Sequence, residues 1–249
     1  MNQKIFVASD VHGHYAEMME ALRAAGFDEK NEEHIFLSMG DLFDRGTENG
    51  KIYSFVKDLP RKILLKGNHE DMLCRILQEG NVTDADRANE TDVTVKELFG
   101  EDSIDVNGCF DRAAHSEKVS ELLAFIGSML NYYETEHYVF THGWLPIVFE
   151  GRYPTVAPCF RNASDEEWVE SRLLEWQQLY DVKALLSGKT IVCGHRPSRL
   201  GYMFDSFREP DCSEPFYGEG MIAIDAGTVR SKRVNVLVIE DSDIKGTEI

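Results

Sequence analysis

The first eighty residues alternate between two patterns. Residues 4–8, 34–39 and 62–66 are short, nearly continuous apolar runs. Such runs predict strands buried on both faces. After each comes a longer segment whose apolar positions return at helical spacing, as with Met18, Met19 and Leu22. These segments predict helices over 15–25, 49–59 and 70–78. A strand–helix rhythm repeated three times predicts an α/β layered fold. Farther on, helices are predicted over 118–130 and 164–186, the second opened by a Ser164–Glu167 capping box. Strands are predicted at 138–141, 190–193, 221–224 and 234–239. Residues 79–117 are rich in Asp, Asn, Glu and Thr and lack periodicity. They read as a loop-and-helix insert, either a cap facing a substrate or a solvated connection. No repeat or low-complexity linker interrupts the chain, so residues 1–249 are expected to form a single domain, with 241–249 as a fraying tail.

Charge narrows the choice of partners. The chain carries 44 acidic and 26 basic residues among 249, a formal net charge of −18. That balance argues against nucleic-acid duplexes, whose binding relies on Lys and Arg neutralising phosphates. It argues equally against an anionic membrane surface. A small anionic substrate stays open, because a local metal centre outweighs a diffuse surface charge. No apolar run approaches the ~20 residues needed to cross a bilayer. The opening stretch is too short for a signal peptide. Five widely spaced cysteines without a CxxC pair fit a reduced, cytoplasmic chain.

The chemistry sits where predicted strands end. The first runs into Asp10, His12 and Gly13, the second into Gly40, Asp41, Asp44, Arg45 and Gly46, and the third into Gly67, Asn68, His69 and Glu70. Two later strands end in His142-Gly143 and Gly194-His195. Ligand sites of open α/β sheets lie beyond the carboxyl ends of strands. Residues i and i+2 of an extended chain share a side, so Asp10 and His12 can address one centre. Asp, Asn and His donors suit divalent manganese, iron or zinc, and no cysteine falls within the motifs. Each motif alone is weak, since an Asp after a strand is usually a turn or cap. Five in succession, each at a strand-to-loop junction, point to one site.

In this order, DxHG, GDxxDRG, GNHE and two single-His motifs resemble the phosphoprotein phosphatase family of metallophosphoesterases. The stretches Tyr132-Tyr133-Glu134 and 222–227 resemble that family as well. The resemblance implies a calcineurin-like fold, a central β-sandwich flanked by helices, and a site for two divalent metal ions, manganese first among them. Carried over by position, Asp10, His12 and Asp41 would hold one ion. Asp41 would bridge to a second, completed by Asn68, His142 and His195. His69 matches the family's general acid, Asp44 its carboxylate partner and Arg45 a phosphate-binding arginine. A second phosphate-binding arginine is not fixed by any motif; Arg172, Arg161 and Arg196 are candidates. The implied reaction is hydrolysis by direct attack of a metal-bridging hydroxide. The implied substrate is a protein phosphoserine or phosphothreonine, with symmetrical cleavage of diadenosine tetraphosphate or a related nucleotide as the alternative. A non-catalytic scaffold is a third reading, disfavoured because every ligand position is filled.

The charge count agrees with this resemblance. Two divalent ions bring four positive charges against only two negative ones from Asp10 and Asp41, so a phosphate is drawn in locally. Other features have plainer readings. His14 is expected to cap a helix start, and Glu70 to complement a helix N-terminus. Trp168 and Trp176 read as core, and Trp144 as core rather than a pocket wall.

Overall fold

The computed structural model describes residues 3–179, 188–203 and 212–240. Strand β1 (Lys4–Ala8) leads through helix α1 (Tyr15–Ala24) to β2 (His34–Ser38), then through α2 (Asn49–Asp58) to β3 (Lys62–Leu64) and α3 (Asn68–Glu79). β1, β2 and β3 pair in parallel, with Val7 beside Leu37 and Leu37 beside Ile63. The last described strand, β11 (Leu237–Glu240), closes this sheet antiparallel to β1.

The second sheet has five strands, in the order β4-β5-β8-β10-β9. They are β4 (Tyr132–Glu134), β5 (Tyr138–Thr141), β8 (Thr190–Cys193), β9 (Phe216–Gly218) and β10 (Met221–Ala223). The two sheets face each other. Ile5, Val7, Ile35 and Leu37 of the first share a buried cluster with Tyr133, Phe140 and Val192 of the second. Alternation along β1 and β2 sends Phe6, Ala8 and Phe36 to the opposite face, under the helices. The continuous apolar runs thus reflect a sheet covered on both sides.

The segment 79–117 contains α4 (Asp84–Ala88) and α5 (Thr91–Phe99). Val95, Leu98 and Phe99 of α5 belong to the same apolar cluster as α1, α2 and α3. Helix α6 (Ser116–Gly127) packs there through Val119, Leu122 and Ile126.

The long helix expected over 164–186 is shorter. Its capping box forms, with Ser164 N–H donating to Glu167 at 2.7 Å and Glu167 N–H returning to Ser164 Oγ at 3.3 Å. Helix α7 (Asp165–Arg172) then stops. The Ser171 carbonyl accepts from Trp144 N–H, and the Gly143 backbone abuts the Arg172 carbonyl. A tertiary contact overrides the local periodicity here. A separate 3-10 turn carries Trp176, whose indole N–H reaches the Arg196 carbonyl at 2.9 Å. Residues 180–187 of the expected helix and the tail 241–249 lie outside the described residues. The hairpin β6 (Ile147–Glu150) and β7 (Tyr153–Val156) and the short strand β9 had no counterpart in the sequence reading. Trp144, Trp168 and Trp176 are all buried in the cluster outside the second sheet. All five cysteines are free thiols. Among the described residues no helix is long and apolar enough to cross a membrane.

Candidate metal centre and proton-transfer dyad

The loops after β1, β2, β3, β5 and β8 meet at one edge of the sandwich. The first two lie side by side: Asp10 N–H donates to the Gly40 carbonyl at 3.1 Å and His12 N–H to the Asp41 carbonyl at 3.0 Å. Glu70 joins the second loop to the third. Its buried carboxylate accepts from the backbone N–H groups of Asp41 (2.8 Å), Leu42 (2.9 Å) and Gly67 (2.7 Å). The sequence reading of Glu70 as a helix N-terminal charge is therefore incomplete, because the residue also positions Asp41.

Close approach of the loops depends on glycine. A Cβ on Gly67 would stand 2.2 Å from Asp41 Oδ1, and one on Gly194 would stand 2.0 Å from Ser9 Oγ and 2.3 Å from Asp10 Oδ2. Backbone strain gathers at the same place. Six of the eight non-glycine residues with positive φ among the described residues are Asp10, His12, Asp41, Asp44, Arg45 and His195. Left-handed backbone costs a non-glycine residue ~1–3 kcal/mol and persists mainly where the surroundings impose it, often at functional sites.

Two donor groups share Asp41. His12, Asp41 and His69 form one, and Asp41, His142 and His195 the other, with ligand atoms in each within 4.8 Å of one another. Asp41 Oδ2 lies 3.8 Å from His12 Nε2 and 3.3 Å from His142 Nε2. The Asn68 side-chain carbonyl oxygen is 3.1 Å from His142 Nε2. The Nδ1 atoms of His142 and His12 face the carbonyls of Met39 (2.8 Å) and Phe43 (3.1 Å). Donation to those carbonyls orients both rings with Nε2 inward, the usual outer support of a metal-binding histidine. Asp10 is buried beside the second group. Its carboxylate accepts from Ser9 Oγ and from His195 N–H at 2.9 Å.

Electrostatics fit this donor set to cations. Burial lowers the pKa of His12 to about 3, and burial together with His142 does the same to His195. Both are neutral imidazoles able to ligate. Burial also opposes charge on His142, yet Asp41, Asp10 and Glu70 outweigh it and raise its pKa to about 10. Burial and the neighbouring Asp41 raise the Glu70 carboxyl to about 7. The enclosed carboxylates thus demand positive charge, which a proton on His142 supplies and divalent ions would supply better.

Beside these groups lies a dyad. His69 Nδ1 donates to Asp44 Oδ2 at 2.6 Å, both residues being buried. Burial disfavours a charged His69, but Asp41 and Asp44 prevail and raise its pKa. Two hydroxyls absent from the sequence reading complete the arrangement: Thr91 donates to Asp44 Oδ2 at 2.7 Å and Thr94 to Asp44 Oδ1 at 2.5 Å. Both come from α5, so the 79–117 segment takes part in the site. Their i, i+3 spacing was visible in the sequence, but nothing there showed that Asp44 would lie beneath them. Asn89 reaches the Arg45 guanidinium at 2.9 Å, and Arg45 in turn lies 3.1 Å from His12 Nε2.

A cavity of about 300 Å³ opens over the site, lined by His12, Asp41, Asn68, His69 and His195 together with Arg45, Arg196 and Arg230. Arg196 is paired with Glu175 at 3.1 Å. Arg230 carried no sequence signal. Arg172 is placed elsewhere: its buried guanidinium bonds Asp71 at 2.6 Å and also Asn131, outside the cavity lining. Arg161 pairs with Glu134 and is likewise outside it. His14 makes no side-chain cap. It bonds the His12 carbonyl at 2.6 Å and Lys232 Nζ at 2.8 Å, so it braces a candidate ligand's backbone.

The sequence profile of the calcineurin-like phosphoesterases matches residues 3–221. The chain belongs to the calcineurin-like phosphoesterase family. This calcineurin-like phosphoesterase is 29% identical over 126 residues to the asymmetrical bis(5'-nucleosyl)-tetraphosphatase PrpE of Bacillus velezensis, covering 47% of this chain. It spans about half the length of that relative, 51%. Its fold matches a metallophosphoesterase from Sphaerobacter thermophilus (TM-score 0.55, 16% identity, 96% of this chain and 84% of that one). It also matches a serine/threonine phosphatase from Saccharomyces cerevisiae similar to human PP5 (TM-score 0.53, 15% identity, 99% and 82%). A protein provisionally named a diadenosine tetraphosphatase matches at TM-score 0.54, with 14% identity over 98% and 95% of the two chains.

Proposed function

We propose that this phosphoesterase hydrolyses nucleoside polyphosphates, with dinucleoside tetraphosphates as the leading candidates. The observation that carries the reading is one cavity lined by members of two donor groups that share Asp41, by His69 of the His69–Asp44 dyad, and by the guanidinia of Arg45, Arg196 and Arg230. Arg45 and Arg230, neither matched to an acid among the described residues, with the Glu175-paired Arg196 beside them, suit a chain of phosphates better than a single phosphoryl group, and the partial relative from Bacillus velezensis supports the same substrate class. The GNHE motif keeps a protein phosphoserine or phosphothreonine as the second reading.

Asp10, His12, Asp41, Asn68, His142 and His195 are the residues that would hold divalent ions, manganese first, with iron or zinc as alternatives. Bound there, such ions supply Lewis acidity and an ionised water at neutral pH. The chain's own groups do the rest. Arg45, Arg196 and Arg230 engage phosphoryl oxygens and orient the reacting phosphorus. Asp44 holds the His69 ring through Nδ1 and favours its protonated form, so Nε2 donates a proton to the departing oxygen. Burial of both residues excludes water from that bond.

The test is a panel of diadenosine tetraphosphate, a phosphothreonine peptide and p-nitrophenyl phosphate, each with added manganese and with chelator. Manganese-dependent turnover greatest on the dinucleotide supports the reading. Preference for the peptide transfers it to the protein-phosphatase reading, and inactivity on all three overturns both. Paired ADP products mark symmetrical cleavage; AMP with ATP marks the asymmetrical kind. His69→Asn should lose most turnover while keeping its metal. Near-normal rates would remove His69 from the mechanism.

A further inference from the structure

The cavity over the site has a neighbour on the far side of Arg230. A second cavity of about 260 Å³ shares Pro197, Gly227 and Arg230 with it and continues past Arg199, Ser213 and Ser231. Either volume alone sits at or below the lower limit for a small-molecule site of about 300–1,000 Å³, and the two together fall well inside that range.

The wall between them is held in place. Ser198 N–H donates to the Asp225 carbonyl at 2.8 Å, and Gly227 N–H to the Asp225 carboxylate at 2.6 Å. The far side is tied down as firmly. Asn235 Nδ2 donates to the Ser213 carbonyl at 2.6 Å and to the Ile224 carbonyl at 3.0 Å. Ser198 Oγ donates to the Glu214 carbonyl at 2.7 Å, and the Tyr202 hydroxyl to the Pro215 carbonyl. In the first cavity, next to the shared Gly227, the Thr228 hydroxyl is buried and has no hydrogen-bond partner among the described residues.

Charge gives the extension its chemistry. Arg75, Arg161 and Arg172 are each matched to an acid. Neither Arg199 nor Arg230 is matched to one among the described residues. In a chain with 44 acids and 26 bases, two guanidinia on one cavity with no acid partner among the described residues mark a place suited to an anion.

We infer that this second cavity is a subsite for the distal phosphates of a polyphosphate substrate, with Arg230 spanning the two cavities and Arg199 gripping the far end. The inference rests on the phosphoesterase reading above, which places the reacting phosphate in the first cavity. No chemical step occurs in the subsite; it adds binding for long substrates that short ones cannot use.

The experiment measures kcat and KM for diadenosine tetraphosphate, p-nitrophenyl phosphate and a phosphothreonine peptide, in the manganese-loaded wild type, Arg199→Ala and Arg199→Lys. The readout is the ratio of kcat/KM for dinucleotide over aryl phosphate, in which a general loss of folded enzyme cancels. Arg199→Ala should lower the ratio about tenfold, mainly through KM for the dinucleotide, as expected when one charge-assisted contact of ~1.4 kcal/mol is lost. Arg199→Lys should recover part of it. An unchanged ratio with an active enzyme overturns the subsite and leaves the phosphoesterase reading intact. An equal loss on the phosphopeptide overturns the polyphosphate assignment. Wild type inactive on all three substrates overturns the phosphoesterase reading, and the subsite with it.

Discussion

The two hydroxyls on Asp44 offer a sharp test of the dyad. Thr91 and Thr94 bond opposite oxygens of a carboxylate that also holds His69, and all four side chains are buried. Thr→Val keeps shape and removes only the donor. A hydrogen bond to a charged group is worth about 1.5–3 kcal/mol. Some of that loss falls on stability and some on the rate. If one bond's worth reaches the transition state, kcat drops by about 10- to 150-fold at 1.36 kcal/mol per tenfold. The loss should depend on the leaving group. Under the proposed mechanism a poor leaving group such as phenol takes a proton from His69, whereas 2,4-dinitrophenol leaves readily without one. The assay is therefore steady-state hydrolysis of an aryl phosphate series by Thr91→Val, Thr94→Val and the double variant. The predicted signature is a steeper dependence of kcat on leaving-group pKa, largest in the double variant. A uniform loss across the series would show that the hydroxyls merely support the fold, and the argument would fail.

Two further outcomes follow from the loops and their charges. Gly194→Ala drives a methyl group to 2.0 Å from Ser9 Oγ and 2.3 Å from Asp10 Oδ2, so the folded variant should bind fewer divalent ions than wild type; elemental analysis showing full metal content would refute it. Protons and divalent ions compete at His142, whose pKa in the metal-free chain is raised to about 10 by Asp41, Asp10 and Glu70 against the opposing effect of burial. Below that value each ion bound there must displace a proton, so apparent manganese affinity should rise about tenfold per pH unit between pH 7 and 9, as read by chelator competition; a flat profile would contradict the assignment of His142 as a ligand.

The stability of the metal-free fold depends on the same proton. A raised His142 pKa stabilises the metal-free fold fully below the unfolded value of ~6.5, and the contribution is lost as pH climbs through about 10. Metal binding replaces that contribution with its own.

The sheets and the site were legible in the sequence for different reasons. The strands at Lys4–Ala8, Tyr138–Thr141 and Thr190–Cys193 lie where the apolar runs put them, because strands buried on both faces leave an uninterrupted signal. The donor residues could be read because each stands directly after such a strand, so locating the strand locates the ligand. What stayed hidden depends on tertiary approach. Thr91 and Thr94 are ordinary helix residues until α5 lies on Asp44. Arg230 follows no motif and reaches the cavity only because the chain turns at Gly227, where φ is +63°. Arg172 sits in the chain segment expected to supply an arginine, but Asp71 and Asn131 claim its guanidinium. The premature end of α7 has a similar origin, since the backbone of Gly143 and Trp144 abuts its last turn.

In the proposed mechanism one carboxylate, Asp41, serves two cation sites. Equilibrium dialysis against manganese, with the bound metal counted per chain, measures that directly. The wild type should hold two ions, and Asp41→Asn, with its backbone still tied to Glu70, should hold fewer than one. A wild type that binds one ion or none, or an Asp41→Asn variant that keeps both, would contradict the account.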